Sequence, residues 1–307
     1  MASLRDIRNR IASVQNTQQV TRAMKMVAAA KLRRAQERIF RTRPYAYKLG
    51  EIISHLKSQI DPTSHTLFLP REETNGALVV VVTADRGLAG AFNANIIKLA
   101  EQTIEERYAE LQAQGNLYLI CVGRKGHDHF AKRGYQLVGN FRGVFDNLTF
   151  HTAQEVVRLI LEGYLADRWD EVLVVYNEFK NTISQNRIVE PFLPLRGEQF
   201  LTPVMEQAIE HQAELKEGLA VDYLFEPDAR AILDELVPRY LNYQLWRVLL
   251  ESNASEQGAR MVAMDNATTN AEELIRDLRL KYNRARQDAI TKELIEIVSG
   301  ANALEQG

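Results

Sequence analysis

LESNASEQGARMVAMDNATTNAEELIRDLRLKYNRARQDA, residues 250–289, contains no proline and a single glycine, Gly258. Alternating steps of four and three from Leu250 visit Ala254, Gln257, Met261, Met264, Thr268, Ala271, Ile275, Leu278, Tyr282, Ala285 and Ala289. Ten of these twelve are apolar or aromatic. That is a narrow heptad-like seam, not the broad face of a helix lying on a globule. Asp228 can cap such a helix, no proline follows Pro238, and Gly300 offers a stop. A helix over 227–300 is expected.

The opposite end of the chain repeats the pattern. Residues 1–60 hold few helix breakers, and the same stepping from Leu4 passes Ile7, Ile11, Val14, Gln18, Thr21, Lys25, Ala28, Leu32, Ala35 and Ile39. Eight of those eleven are apolar, with the polar interruptions bunched between Gln18 and Lys25. At the helical rise the two helices would span about 80 and 105 Å. Neither can bury its seam in a domain of this size, so each is expected to bury it against the other.

Between them the period changes. Ala77 to Val82 (ALVVVV), Leu117 to Val122 and Val172 to Tyr176 read as buried strands. Helical stretches near 92–113, 125–133 and 152–167 alternate with them, which predicts a mostly parallel, helix-covered sheet over 75–195. Ser184 to Val189 reads as a last edge strand, with Pro191 and Pro194 closing the domain. Residues 196–226 read as a linker with a short helix near Met205 to Lys216. The expected fold is therefore a long antiparallel coiled coil of N- and C-terminal helices with an inserted Rossmann-like α/β domain.

The chain has 307 residues and a net charge of −2, so it carries no general attraction to nucleic acid or anionic lipid. Its single cysteine, Cys121, rules out an internal disulfide and sits in an apolar strand, as an inert thiol would. There is no apolar run of signal-peptide or membrane-span length, so a soluble, cytoplasm-facing chain without direct membrane insertion is expected.

No catalytic constellation is visible. The turn Asp85-Arg86-Gly87-Leu88-Ala89-Gly90-Ala91-Phe92-Asn93 lies where nucleotide folds bind phosphate, but neither G-x-G-x-x-G nor G-x-x-x-x-G-K-[ST] is present. His127-Asp128-His129 places two histidines on different helix faces without a completing ligand set. Neither cofactor nor metal is expected. Residues 1–57 carry thirteen Lys or Arg against three acids, crowded at Lys25, Lys31, Arg33, Arg34, Arg38, Arg41 and Arg43. Such a run suits an acidic protein partner, nucleic acid, or a merely solvated face.

The two ends then carry a resemblance. Ile11 to Gln18 (IASVQNTQ) and Thr21 to Ala29 (TRAMKMVAA) resemble the opening helix of the ATP synthase gamma subunit family. Ser255 to Met264 (SEQGARMVAM) and Tyr282 to Ala301 (YNRARQDAITKELIEIVSGA) resemble the same family at its other end. The resemblance spans the chain, weakly in the middle and specifically at both ends.

It implies a non-catalytic rotor of an F-type, proton-translocating enzyme, peripheral on the cytoplasmic face of a bacterial membrane. The implied partners are the catalytic beta and nucleotide-holding alpha subunits, the epsilon subunit and the c-ring, with no nucleic acid. It also implies residue roles: Met24 and Lys25 near acidic lever loops, Arg260 opposite Met24, and Arg286, Gln287, Thr291 and Glu293 bonding to a ring loop. The stretch from Ile295 to Leu304 would be an apolar bearing tip. The regulatory cysteine pair of plant and algal forms is missing, so thiol control is not expected.

Overall fold

Six-residue runs of β-branched and apolar side chains, separated by helices, form the centre of the protein. The computed structural model describes residues 4–59, 66–69, 71, 73–182, 184–195 and 228–305. In chain order the elements are α1 (Leu4–Gln59), β1 (Ala77–Val82), α2 (Phe92–Gln114), β2 (Leu117–Val122), α3 (Arg124–Ala131) and β3 (Gln136–Leu137). A single 3₁₀ turn (Val144–Asp146) follows, then α4 (Phe150–Leu165), β4 (Glu171–Phe179), β5 (Gln185–Leu193) and α5 (Ala229–Glu305). By contacts the chain divides into two compact units, Ala29–Ala259 and the pair of segments Met1–Ala28 and Arg260–Gly307.

The first unit holds the sheet, in the order β3-β2-β1-β4-β5. Strands β1 to β4 are parallel and β5 returns antiparallel along β4. Side chains alternate across each strand, so two cores form. Leu78, Val80 and Val82 of β1 face one way with Val172, Val174 and Tyr176 of β4, in one cluster with α4 and parts of α1 and α5. Val79, Val81, Leu119, Cys121 and Val175 face the other way, under α2 and α3. Burial on both faces is why these strands carry no polar alternation. Gly115 closes α2 in the left-handed conformation, at φ 78°, which costs a glycine nothing.

The long helices depart from expectation in one respect. Leu32, Ala35 and Ile39 of α1 join Leu250 and Ala254 of α5 in the cluster that lines the sheet. This part of the seam is buried against the α/β core as well as helix on helix. The reason is that α1 and α5 supply that face of the sheet with much of its cover.

Two boundaries and two short elements also differ. The helix α5 runs through Gly300 to Glu305, because a glycine ends a helix only where the chain turns left-handed after it. The strand β5 runs through Pro191 rather than stopping there; it is an edge strand, so no further strand requires the missing N–H. The two-residue β3 and the 3₁₀ turn were too short to leave a pattern. The helix expected near Met205 to Lys216 lies outside the described residues.

In the second unit α1 and α5 run antiparallel. Arg8 meets Tyr282, Gln18 meets Glu272, Thr21 meets Thr268 and Lys25 meets Asp265, so numbering falls on one helix as it rises on the other. Every seam position from Leu4 to Ala28 and from Met261 to Ala285 is buried or half-buried, whereas Ala289 is exposed. A sustained spacing of 3.5 residues keeps one stripe facing its partner in this way.

Candidate functional site

The polar interruptions of the α1 seam each find a polar partner on α5. Gln18 Nε2 donates to Glu272 Oε1 at 2.9 Å, the Thr21 and Thr268 hydroxyls lie 2.8 Å apart, and Lys25 Nζ lies 2.5 Å from Asp265 Oδ1. Below them Arg8 donates to the Tyr282 hydroxyl at 2.8 Å, with its guanidinium 5.7 Å from the ring centre. That hydrogen bond holds the Arg8 guanidinium above its ordinary pKa. Slipping this ladder by one residue would break every rung, so the ladder sets the register that apolar contact alone leaves loose.

The register also locates the expected contact residues. Met24 is half-buried and Lys25 is already paired, at 40% exposure. Since Lys25 meets Asp265, Met24 comes level with Asn266. Arg260, five residues before Asp265 and so about 7.5 Å along the axis, is not opposite Met24. This corrects the expectation; Arg260 itself is half-buried.

By the same register Leu4, the first described residue of α1, comes level with Arg286. From there to Ser299 the side chains of α5 are all exposed, Arg286, Gln287, Thr291 and Glu293 among them. At about 100° per residue, Ile290, Leu294 and Ile297 share one stripe. Arg286 and Glu293 border it on one side, and Gln287 and Thr291 on the other. Ile297 is 63% exposed and Ile295 60%. A helix end with an unburied apolar stripe and polar borders is built to be covered by a partner.

The turn after β1 is held by its own side chains. The Asp85 carboxylate accepts backbone hydrogen bonds from Arg124 (2.9 Å), Gly143 (2.6 Å) and Phe145 (3.0 Å). These donors follow β2 and β3, so Asp85 ties the turn after β1 to two other segments at the same end of the sheet. Asn93 adds a second tie, accepting from Ala84 N at 2.8 Å. The crevice between β1 and β4, where a doubly wound sheet takes its ligand, contains Ala84, Ala89 and Phe92 packed against Ala259 of α5.

The remaining candidates resolve into structure. His129 pairs with Glu101 at 2.8 Å and His127 lies 3.7 Å from Asp128. Among the described residues no group of three His, Cys, Asp or Glu could hold a metal. Burial pushes the Cys121 thiol up to about 12. In the basic run, Lys31, Arg33, Arg34, Arg38 and Arg41 face solvent. Among the described residues no helix is long and apolar enough to cross a membrane.

Asp265 and Glu272 escaped the sequence reading because both flank the seam instead of lying on it. Their signal was the bunching of Gln18, Thr21 and Lys25, whose partners an antiparallel register would have named.

Comparison with known proteins agrees with this architecture. The profile of the family described as ATP synthase matches residues 3–304. The ATP synthase gamma chain of Salinibacter ruber is 65% identical, covering 100% of this chain and 99% of that protein. That of Chloroherpeton thalassium is 54% identical over the same shares. A chain in the cryo-EM structure of the Tetrahymena thermophila mitochondrial ATP synthase central stalk and c-ring is 25% identical, with a TM-score of 0.54 over 81% of this chain and 99% of that one. A chain of the Euglena gracilis mitochondrial ATP synthase shares the fold at 21% identity, with a TM-score of 0.63 over 99% of this chain and 95% of its own. A match that runs almost from end to end, on the paired helices as on the sheet, leaves one conclusion: the chain belongs to the ATP synthase gamma-chain family.

Proposed function

We propose that the chain is the central-stalk rotor of an F-type ATP synthase, carrying torque between a membrane c-ring and a catalytic hexamer of alpha and beta subunits. It performs no chemistry itself. Turning an asymmetric shaft presents each catalytic site with a different surface in turn, and only such differential contact can drive a site from one conformation to another. The observation that carries this reading is the end of α5. From Arg286 to Ser299 the helix is exposed on every side, with an apolar stripe and polar borders, as a shaft tip turning in an apolar sleeve requires.

On this reading Arg286, Gln287, Thr291 and Glu293 are the polar catch, making and breaking hydrogen bonds with a ring loop. The stretch from Ile295 to Leu304 is the bearing. Met24, Lys25 and Arg260 act higher on the coil, where Met24 meets acidic lever loops, and Lys25 does so only by sharing its charge with Asp265. The exposed basic run from Lys31 to Arg41 suits the same acidic surface through transient, salt-sensitive attraction. The α/β domain docks on the epsilon subunit and the c-ring. On this reading those partners hold the chain at the cytoplasmic face of the cell membrane, and its bacterial relatives support that reading.

The test is recovery of the tagged chain from its native membranes in mild detergent, with stoichiometry and ATPase activity read together. One copy per three catalytic and three nucleotide-holding subunits, with activity, is the expected result. The chain recovered alone, or with nucleic acid, would end the proposal.

A further inference from the structure

Where α5 crosses the sheet, polar side chains are buried among the apolar ones. Gln244, Arg247, Glu251, Ser252, Ser255 and Glu256 are all buried. Arg247, 1% exposed, uses its whole fork. Nη2 donates to both oxygens of Glu190 at 2.7 and 2.8 Å, Nη1 to the Tyr176 hydroxyl at 2.9 Å, and Nε to Gln244 Oε1 at 3.0 Å. The Tyr176 hydroxyl donates in turn to Glu190 Oε2 at 2.8 Å. The triangle so formed joins α5 to β4 through Tyr176 and to β5 through Glu190, with Glu251 of α5 lying 4.0 Å from the guanidinium.

Two turns further along α5, Ser255 Oγ donates to the Asn177 carbonyl of β4 at 3.2 Å. At Gly258 a β-carbon would stand 3.2 Å from the Thr182 carbonyl, tighter than most such contacts.

Apolar contact is non-directional, so a helix seated only on Leu and Val can turn or slide by a notch at small cost. This helix cannot. A shift of one residue would leave Arg247 and Glu190 charged, buried and unpaired, which is far more expensive than the pair itself is stabilising. A planar guanidinium whose three nitrogens each meet a different residue fixes angle as well as distance.

We propose that Arg247, with Glu190 and Tyr176, is a positioning key that locks the rotational and axial register of α5 on β4 and β5, so that torque applied to the α/β domain passes into the shaft helix without slip. This rests on the rotor reading above. Stability is not the key's purpose, since a buried ion pair replaced whole by apolar residues of similar volume commonly leaves a fold as stable or more so.

The experiment compares assembled enzyme carrying the parent chain with enzyme carrying Tyr176→Phe, Glu190→Met, Arg247→Met and Glu251→Met together. Thermal stability, ATP hydrolysis, and protons pumped per ATP in inverted membrane vesicles are read on each. The melting temperature should match or exceed the parent's, with hydrolysis within about twofold. Pumping per ATP should fall by about fivefold, the low end of ordinary coupling changes. Unchanged pumping per ATP would overturn the key. If the combined variant does not assemble, Arg247→Lys carries the test: it keeps the charge and loses the fork. It should show a smaller loss of pumping per ATP at full hydrolysis, and parent-level coupling there would equally overturn the key. Failure of the rotor reading is a separate result, seen when the parent chain itself restores no pumping to vesicles that lack it.

Discussion

Asp85 shows how much one polar side chain can do within a fold. Its carboxylate collects three backbone N–H groups, from the start of α3 and from the segment around the 3₁₀ turn, and so ties the turn after β1 to both. Replacing it with alanine leaves those donors without their acceptor, at a cost of about 1–3 kcal/mol. Asp85→Ala should lower the urea midpoint of the isolated chain with its slope unchanged, and Asp85→Asn should lose less. Cys121 makes the opposite point, that a reactive residue type can be made inert. Burial lifts its thiol from the ordinary 9.0 to about 12, so the folded state keeps a proton that the unfolded chain gives up. The contribution is complete below about pH 9 and is lost as pH rises toward 12. At pH 8 a thiol reagent should label Cys121 only after unfolding, and oxidants should leave enzyme coupling unchanged; rapid labelling of native protein would contradict the assigned burial.

At the scale of elements, the coiled coil depends on where its seam is polar. Thr21 and Thr268 exchange one hydrogen bond at a partly buried crossing. Each hydroxyl also reaches a carbonyl on its own helix, Thr21 that of Gln18 and Thr268 that of Met264. Thr21→Val or Thr268→Val alone therefore loses the shared bond at a cost of about 1 kcal/mol, and the double substitution should cost less than the sum of the two. A double-mutant cycle by denaturant titration gives the coupling directly, and additive losses would mean the hydroxyls do not bond. The exposed end of α5 behaves differently. Since Ile290 and Ile297 touch nothing that buries them, Ile290→Asp with Ile297→Asp should leave the stability of the isolated chain within about 0.5 kcal/mol. If the stripe is the bearing that the rotor proposal makes it, the same pair should depress ATP-driven pumping in the assembled enzyme. A large loss of stability in isolation would show that the stripe already has an internal partner.

Across the whole molecule, the elements were far more legible than the site. The helices α1 and α5 follow from a 3,4 apolar spacing that few breakers interrupt, and β1, β2 and β4 from unbroken apolar runs. Both are short-range patterns, set by which side chains water excludes and by the period of the backbone. Gly300 and Pro191 misled as stops for the same reason: a breaker's effect depends on whether the chain must turn there or a neighbour needs the N–H. Local composition cannot supply that. The polar contacts lay beyond local reading altogether. Thr21 meets Thr268, Lys25 meets Asp265 and Glu190 meets Arg247 across separations that no periodicity spans. Likewise, nothing between Asp85 and Asn93 announces that Ala259 fills the crevice beside them. Hydrophobic burial is additive and non-directional, so its pattern survives in one dimension. Hydrogen bonds, ion pairs and the filling of a crevice require particular atoms at particular distances, and those distances exist only once the chain has folded.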